Sequence, residues 1–298
     1  MFHDGDTKAG RIFNRLNDFP SLPKVVEKLL ALPEAGVSTR DFADLIALDQ
    51  GLVAKVLRLV NSAFYSLRAP ISSIRLASSV LGVRTLKSLA LSASVIHAHK
   101  RPHPHFDPVQ SWRHALAVAL GARKIAERLK LPLEDEVYAA GLLHDIGVGL
   151  LLQHYPAEYA AVTRGGPEGT PQTLAQEAER FGQTHAELAY HMANQWRFPP
   201  LIAQGLRYHH TPPGELPADL DAQARRLIEV VQLADGYARR SGYSLAEVDR
   251  LEPDLPLPQP VELDLSPAEV AELLEGLRPV LAELESTFFQ REAEPVKA

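Results

Sequence analysis

A chain of 298 residues with 46% hydrophobic and 23% charged side chains has the make-up of an ordinary globular protein, long enough for one large core or two smaller ones. It has no cysteine, which excludes disulfides, thiolate-held zinc and thiol catalysis, and its net charge is only -6. No apolar run approaches the roughly 18 residues of a membrane span, and Asp4 and Asp6 stand where a signal peptide would be apolar, so a cytoplasmic protein that avoids membranes is expected.

Leu22, Val25, Val26, Leu29, Leu30 and Leu32 recur at a period near 3.6 and predict a first helix. Ser38 opens the next as an N-cap with Asp41 three residues on, and Phe42, Leu45, Ile46, then Leu52, Val53, Val56, Leu57 and Val60 continue the apolar stripe. Breaks fall at Pro33 to Gly36 and around Pro70. Between Gly51 and Lys100 there is no acidic residue. Arg68, Arg75, Arg84 and Lys87 in this stretch are the candidate partner-binding residues, expected to face outward. Asn61, an amide in an apolar helix, is expected to bond to nearby backbone. Pro102 and Pro104 stop any helix through His97 to His105, so a solvated linker is favoured there over a histidine metal trap.

Five histidines and two aspartates follow, each in a segment that reads as helical: His114, His144-Asp145, His185, His209-His210 and Asp235. Imidazole nitrogen with carboxylate oxygen suits iron, manganese or zinc, whereas an all-oxygen set would favour magnesium or calcium. Asp145 sits among apolar neighbours, where an ionised carboxylate is costly unless a cation or a hydrogen bond compensates it. On a helix, neighbouring side chains point about 100° apart, so His144 and Asp145 can straddle one site. One or two divalent ions are expected. The loop Arg164 to Pro171 is either a lid over this cradle or an exposed excursion.

Beyond Asp235, prolines 253, 256, 258 and 260 predict an extended linker, and Ser266-Pro267-Ala268-Glu269 is a capping box with proline in the first turn. Val270, Leu273, Leu274, Leu277, Val280, Leu281 and Leu284 form one apolar stripe that Pro279 kinks or divides. That stripe must pack on the preceding bundle or on a second subunit. From Leu245 onward acidic residues far outnumber basic ones, a charge asymmetry that suits a partner-facing or self-complementary surface, or simply solvated helix faces.

Gly141-Leu142-Leu143-His144-Asp145-Ile146-Gly147, with Trp112-Arg113-His114 before it and His185-Ala186-Glu187, Trp196, His209-His210 and Ala234-Asp235 after it, resembles the HD superfamily of metal-dependent phosphohydrolases. Leu22-Pro23, Asp49 to Leu52, Leu57 to Ala63 and Leu81-Gly82 narrow the resemblance to HDOD, the HD-related output domain of bacterial signalling proteins, over residues 15 to 245. The resemblance implies a metal set of His114, His144, Asp145 and Asp235. His185, His209 and His210 fall where the related HD-GYP phosphodiesterases hold a second metal. It also marks departures: Gln110 replaces a ligating glutamate, Val148 replaces a phosphate-holding lysine, and the DGxGYP signature is absent. The expected fold is all-α with two packed helical subdomains, the second an HD-type helical bundle. An extension over 1–14, a first subdomain over 15–96, a linker over 97–108, the HD-like subdomain over 109–245 and a proline-rich linker with C-terminal helix over 246–298 complete the plan.

Two functions compete. The favoured one is a signalling output or adaptor module with a metal-binding site, a signalling-protein partner and no efficient catalysis, because Gln110 and Val148 remove a metal ligand and a phosphate contact together. The alternative is a metal-dependent phosphohydrolase or cyclic-dinucleotide phosphodiesterase, with a nucleotide or cyclic dinucleotide as ligand. Nucleic-acid binding through the basic stretch is disfavoured, because it lacks interleaved aromatics and a recognition motif. Oligomeric state is left open.

Overall fold

A computed structural model describes residues 24–32, 38–98, 107–163, 170–243, 263 and 265–289. Among these residues the protein is helical, with no strand: α1 (Lys24–Ala31), α2 (Thr39–Ile46), α3 (Gln50–Val60), α4 (Ile74–Ala98), α5 (Pro108–Leu129), α6 (Glu134–Leu143), α7 (Ile146–His154), α8 (Pro156–Thr163), α9 (Pro171–Phe181), α10 (His185–Gln195), α11 (Pro200–Tyr208), α12 (Ala222–Arg240), α13 (Pro267–Glu275) and α14 (Arg278–Phe289). The Pro33 to Gly36 break, most of the 97–108 linker and of the 164–171 loop, and the proline-rich stretch lie outside the described residues.

The expected cap at Ser38 forms, and Asp49 caps the helix after it. Ser38 Oγ accepts the Asp41 N–H at 3.0 Å, and Asp49 Oδ1 accepts the Leu52 N–H at 2.9 Å; such caps contribute about 1 kcal/mol each. Asn61 ends α3 and closes the turn that follows. Its amide donates to the carbonyls of Leu57 (2.9 Å) and Ile71 (2.8 Å), and its Oδ1 accepts the Ile71 N–H at 2.7 Å.

α1 to α4 form the first helical group and α5 to α12 the second, joined where α4 packs on α6. One continuous apolar core runs through both, from Val26 to Leu284. α4 is not a single smooth helix. Gly82, at φ 82° and ψ 157°, divides it, in a backbone region open to glycine and hardly any other residue.

The C-terminal stripe packs back on α5. Pro279 stands in the first turn of α14, so the stripe is divided into two helices. Leu274 lies over Gly121, Trp112 meets Phe288 with ring centroids 5.6 Å apart, and Arg113 pairs with Glu285. Arg128 pairs with Glu269 at 2.6 Å, and Glu283 accepts the Ala63 N–H at 3.0 Å. Part of the acidic excess is therefore spent within the chain, with Glu283 fastening α14 to the first helical group.

Candidate metal centre

The fold brings all seven sequence-picked histidines and aspartates to one largely buried place, from six different helices or helix ends. His114 comes from the second turn of α5, Asp235 from α12 and His185 from the first position of α10. The paired residues are not inside helices as the pattern suggested. His144 caps the C-terminus of α6 and Asp145 the N-terminus of α7, while His209 caps α11.

The physical reason lies in the last-turn carbonyls, which lack partners within their own helix. His144 Nδ1 meets the Gly141 carbonyl at 2.6 Å, and His209 Nδ1 meets the Leu206 carbonyl at 2.7 Å, three residues back in each case. A carbonyl only accepts, so Nδ1 carries the proton and Nε2 is left with its lone pair. His114 is fixed likewise, its Nδ1 donating to the Tyr243 carbonyl at 2.6 Å. His185 Nδ1 donates to the Glu177 carboxylate at 2.9 Å.

The freed nitrogens converge. His114 Nε2 and His144 Nε2 are 3.1 Å apart, and His185 Nε2 and His209 Nε2 are 3.4 Å apart. Two lone pairs at such distances repel unless a proton or a cation stands between them. Two clusters result, each with its donor atoms within 4.8 Å of one another and each able to hold a metal ion: His114, His144 and Asp235, and Asp145, His185, His209 and His210.

Asp145 belongs to both clusters by position. Its Oδ2 lies 3.2 Å from His114 Nε2 and 2.9 Å from His144 Nε2, while its Oδ1 lies 3.5 Å from His185 Nε2 and 3.4 Å from His209 Nε2. Neither buried oxygen receives a hydrogen bond of good geometry. A carboxylate left so would cost several kcal/mol. The donor set fits a divalent cation that takes the place of the missing hydrogen bonds.

Burial works to lower the His114 pKa, but contact with Asp145 and Asp235 more than reverses this and pushes it up to about 9. Burial would raise Asp145 and Asp235. Instead His144, His114 and His209 hold Asp145, and Arg239 with His114 holds Asp235, well below the usual carboxylate range. Burial lowers His209, and burial together with His209, His185 and Arg239 lowers His210 further, so both are neutral and ready to ligate.

Two supporting residues were missed in the sequence. Glu177 is fully buried in α9, accepts the His185 ring and backbone N–H groups, and takes the Tyr159 hydroxyl at 3.1 Å. Arg239 is buried one helical turn after Asp235 and donates to its Oδ1 at 2.8 Å. The carboxylates of Asp145, Asp235 and Glu177 outnumber this guanidinium by two, a balance that one divalent ion closes.

The four basic candidates divide. Arg68 is exposed, and Arg75 pairs with Asp44 at 3.6 Å on the outer surface. Arg84 pairs with Glu136 at 3.5 Å, and Lys87 is half-buried with its ammonium on the Leu32 carbonyl at 2.7 Å. Lys87 is thus not the outward residue expected. Positions 84, 87, 88 and 91 share the face of α4 turned toward α6.

A model of the HDOD domain matches residues 19–212. The chain belongs to the HDOD family. Asp235 and Arg239 lie beyond the matched stretch, yet the fold brings both to the histidine cluster. An uncharacterised protein of Treponema pallidum (strain Nichols) is 29% identical over 211 residues, covering 69% of this chain and 40% of that protein, so the chain spans about two fifths of this relative's length. An HDOD domain protein of unknown function from Geobacter sulfurreducens has the same fold, with TM-score 0.72 and 23% identity over 96% of this chain and 98% of the other. A proposed phosphohydrolase from Shewanella amazonensis SB2B gives 0.71 and 24% over 94% and 98%, and a proposed signal transduction protein from Marinobacter aquaeolei VT8 gives 0.65 and 21% over 93% and 60%. No described helix is long and apolar enough to cross a membrane.

Proposed function

We propose that this protein is a signal-transduction output or adaptor module whose second subdomain, residues 109–245, is organised around a divalent transition metal, and whose first, residues 15–96, meets a signalling partner. The observation that carries the metal reading is Asp145, a buried carboxylate without good hydrogen bonds between four inward-facing imidazoles. Mixed nitrogen and oxygen donors favour iron, manganese or zinc. The name of the Marinobacter relative supports the signalling role.

Efficient catalysis is disfavoured by the same site. Val148, at the position of the phosphate-holding lysine, is 3% exposed and apolar. Gln110 stands half-buried in the first turn of α5 as a neutral donor in place of a carboxylate. Arg239 is held by Asp235. The partner would then be met by exposed basic residues of the first group, Arg68 and Arg75 foremost.

A second reading, a metal-dependent phosphohydrolase, is favoured by the position of Asp145 between two donor clusters and by the name of the Shewanella relative. A bound divalent ion supplies Lewis acidity toward a phosphate ester. This chain's residues would then orient the ester through His185, His209 and His210, and Arg239 would screen its charge.

Hydrolysis of cyclic di-GMP by metal-loaded protein separates the two. The adaptor reading expects turnover far below about 1 per second, with Gln110→Glu raising any trace activity. Turnover on the order of 1 per second or faster, abolished by Asp145→Ala, overturns it in favour of the enzyme.

A further inference from the structure

A cavity of about 290 Å³ lies between α4, α6 and the corner that joins α10 to α11, away from the metal cluster. Leu32, Val83, Leu91, Ala139, Phe198 and Ile202 give it apolar walls, and Arg84, Lys87 and Arg197 supply cationic groups against the carboxylates of Asp135 and Glu136. Those carboxylates are already engaged, Asp135 by Arg123 at 3.2 Å and Glu136 by Arg84 at 3.5 Å.

Arg197 is different. It occupies the residue after the C-cap of α10, with φ 58°. Its N–H bonds the Asn194 carbonyl at 3.1 Å, and the Phe198 N–H bonds the Ala193 carbonyl at 2.9 Å. This is the Schellman arrangement, whose left-handed position glycine normally fills because a Cβ is penalised there. An arginine here gives up stability, and its guanidinium has no hydrogen-bond or ion-pair partner among the described residues. The residue is exposed at the mouth of the cavity, so its guanidinium is open to a solute that enters there.

We propose that this cavity binds a small organic anion, an apolar body with a single carboxylate or phosphate, whose charge is met by Arg197 with Lys87 beside it. The volume is of the size that takes such a molecule. α6 ends in His144 and α11 in His209, so an occupant would touch two of the helices that deliver metal-cluster histidines, together with α4 from the first helical group.

Calorimetric titration with octanoate and octyl phosphate, against 1-octanol as the uncharged counterpart, tests this on the full chain. At least one anion should bind saturably, one per chain, at least about tenfold tighter than octanol, and the tighter anion names the head group. Arg197→Gly should erase that preference while leaving the melting temperature unchanged or higher, since glycine suits φ 58°. Ala139→Leu, which fills the cavity, should weaken the anion by at least a similar factor. No saturable binding of either anion, equal binding of octanol, a preference that survives Arg197→Gly, or full affinity in Ala139→Leu would each overturn the proposal.

Discussion

Glu177 grips His185 twice, accepting its backbone N–H at 2.8 Å and its ring Nδ1–H at 2.9 Å, with all three groups buried. The carboxylate thereby fixes both the start of α10 and the direction of the imidazole that α10 brings to the second cluster. Carboxylates placed behind ligating histidines typically contribute 10- to 100-fold to metal affinity. Glu177→Ala should lower affinity by about that factor, and Glu177→Gln by less, because its amide oxygen still accepts one bond. Chelator competition on purified protein measures it; unchanged affinity in both variants would remove Glu177 from the site.

Gly147 sits where α7 and the start of α10 come closest. A methyl group there would lie 2.1 Å from the His185 carbonyl oxygen, far inside van der Waals contact. Gly147→Ala should therefore push α10 away and displace His185. The expected cost is on the order of 1–3 kcal/mol of stability, with metal lost from the second cluster first. Thermal melts beside metal content show the order; a variant with wild-type melting and wild-type metal would contradict the close packing.

Gly82 tests the other half. Its φ of 82° with ψ 157° is strained for any side chain although nothing lies within 4 Å of the Cβ it would carry. Gly82→Ala should cost about 1–3 kcal/mol through the backbone alone, leaving metal stoichiometry untouched. Denaturant midpoints check the first part and elemental content the second.

The choice of metal-site residues was legible because histidine and aspartate are rare in apolar helices, so His114, His144, Asp145 and Asp235 stood out from their neighbours. Their backbone setting was not. Periodicity shows a helix continuing through His144-Asp145, and only the stray carbonyls of Gly141 and Leu206 explain why each histidine instead ends its helix. Glu177 was hidden in the polar run Gln176-Glu177-Ala178-Glu179-Arg180. Its spacing from Thr173 and Phe181, both buried, is the one signal that would have set it on the inner face. The i to i+4 step from Asp235 could have marked Arg239. The all-helical class and the caps at Ser38 and Ser266 followed from local chemistry. The inward turn of Lys87 depends on how α4 meets α6, a tertiary fact with no local signature.

Proton release should accompany metal binding. In metal-free protein the His114 pKa stands at about 9, so near neutral pH a proton occupies the place a metal would take. Below pH about 9 the metal displaces it, and affinity should climb by up to about tenfold per pH unit before levelling off above that value. Stability of the metal-free protein runs the other way. A raised pKa means that the His114 contribution is fully present below the ordinary value of 6.5 and is lost as pH rises through about 9. Chelated protein should lose melting temperature across that window more than loaded protein does. Calorimetry at pH 7 in buffers of different ionisation enthalpy reads the proton count directly, and a count of zero would contradict the charge state of His114.

Elemental analysis of protein purified without a histidine tag, alongside a His144→Ala, Asp145→Ala double variant, tests the metal centre most directly. The expected result is iron, manganese or zinc near one or two ions per chain in the wild type, loss of that metal in the double variant, and a fall in melting temperature when chelator strips the wild type. Wild-type protein that carries no transition metal, takes none up when it is offered, and melts identically with and without chelator would show that the convergent imidazoles around Asp145 hold no metal.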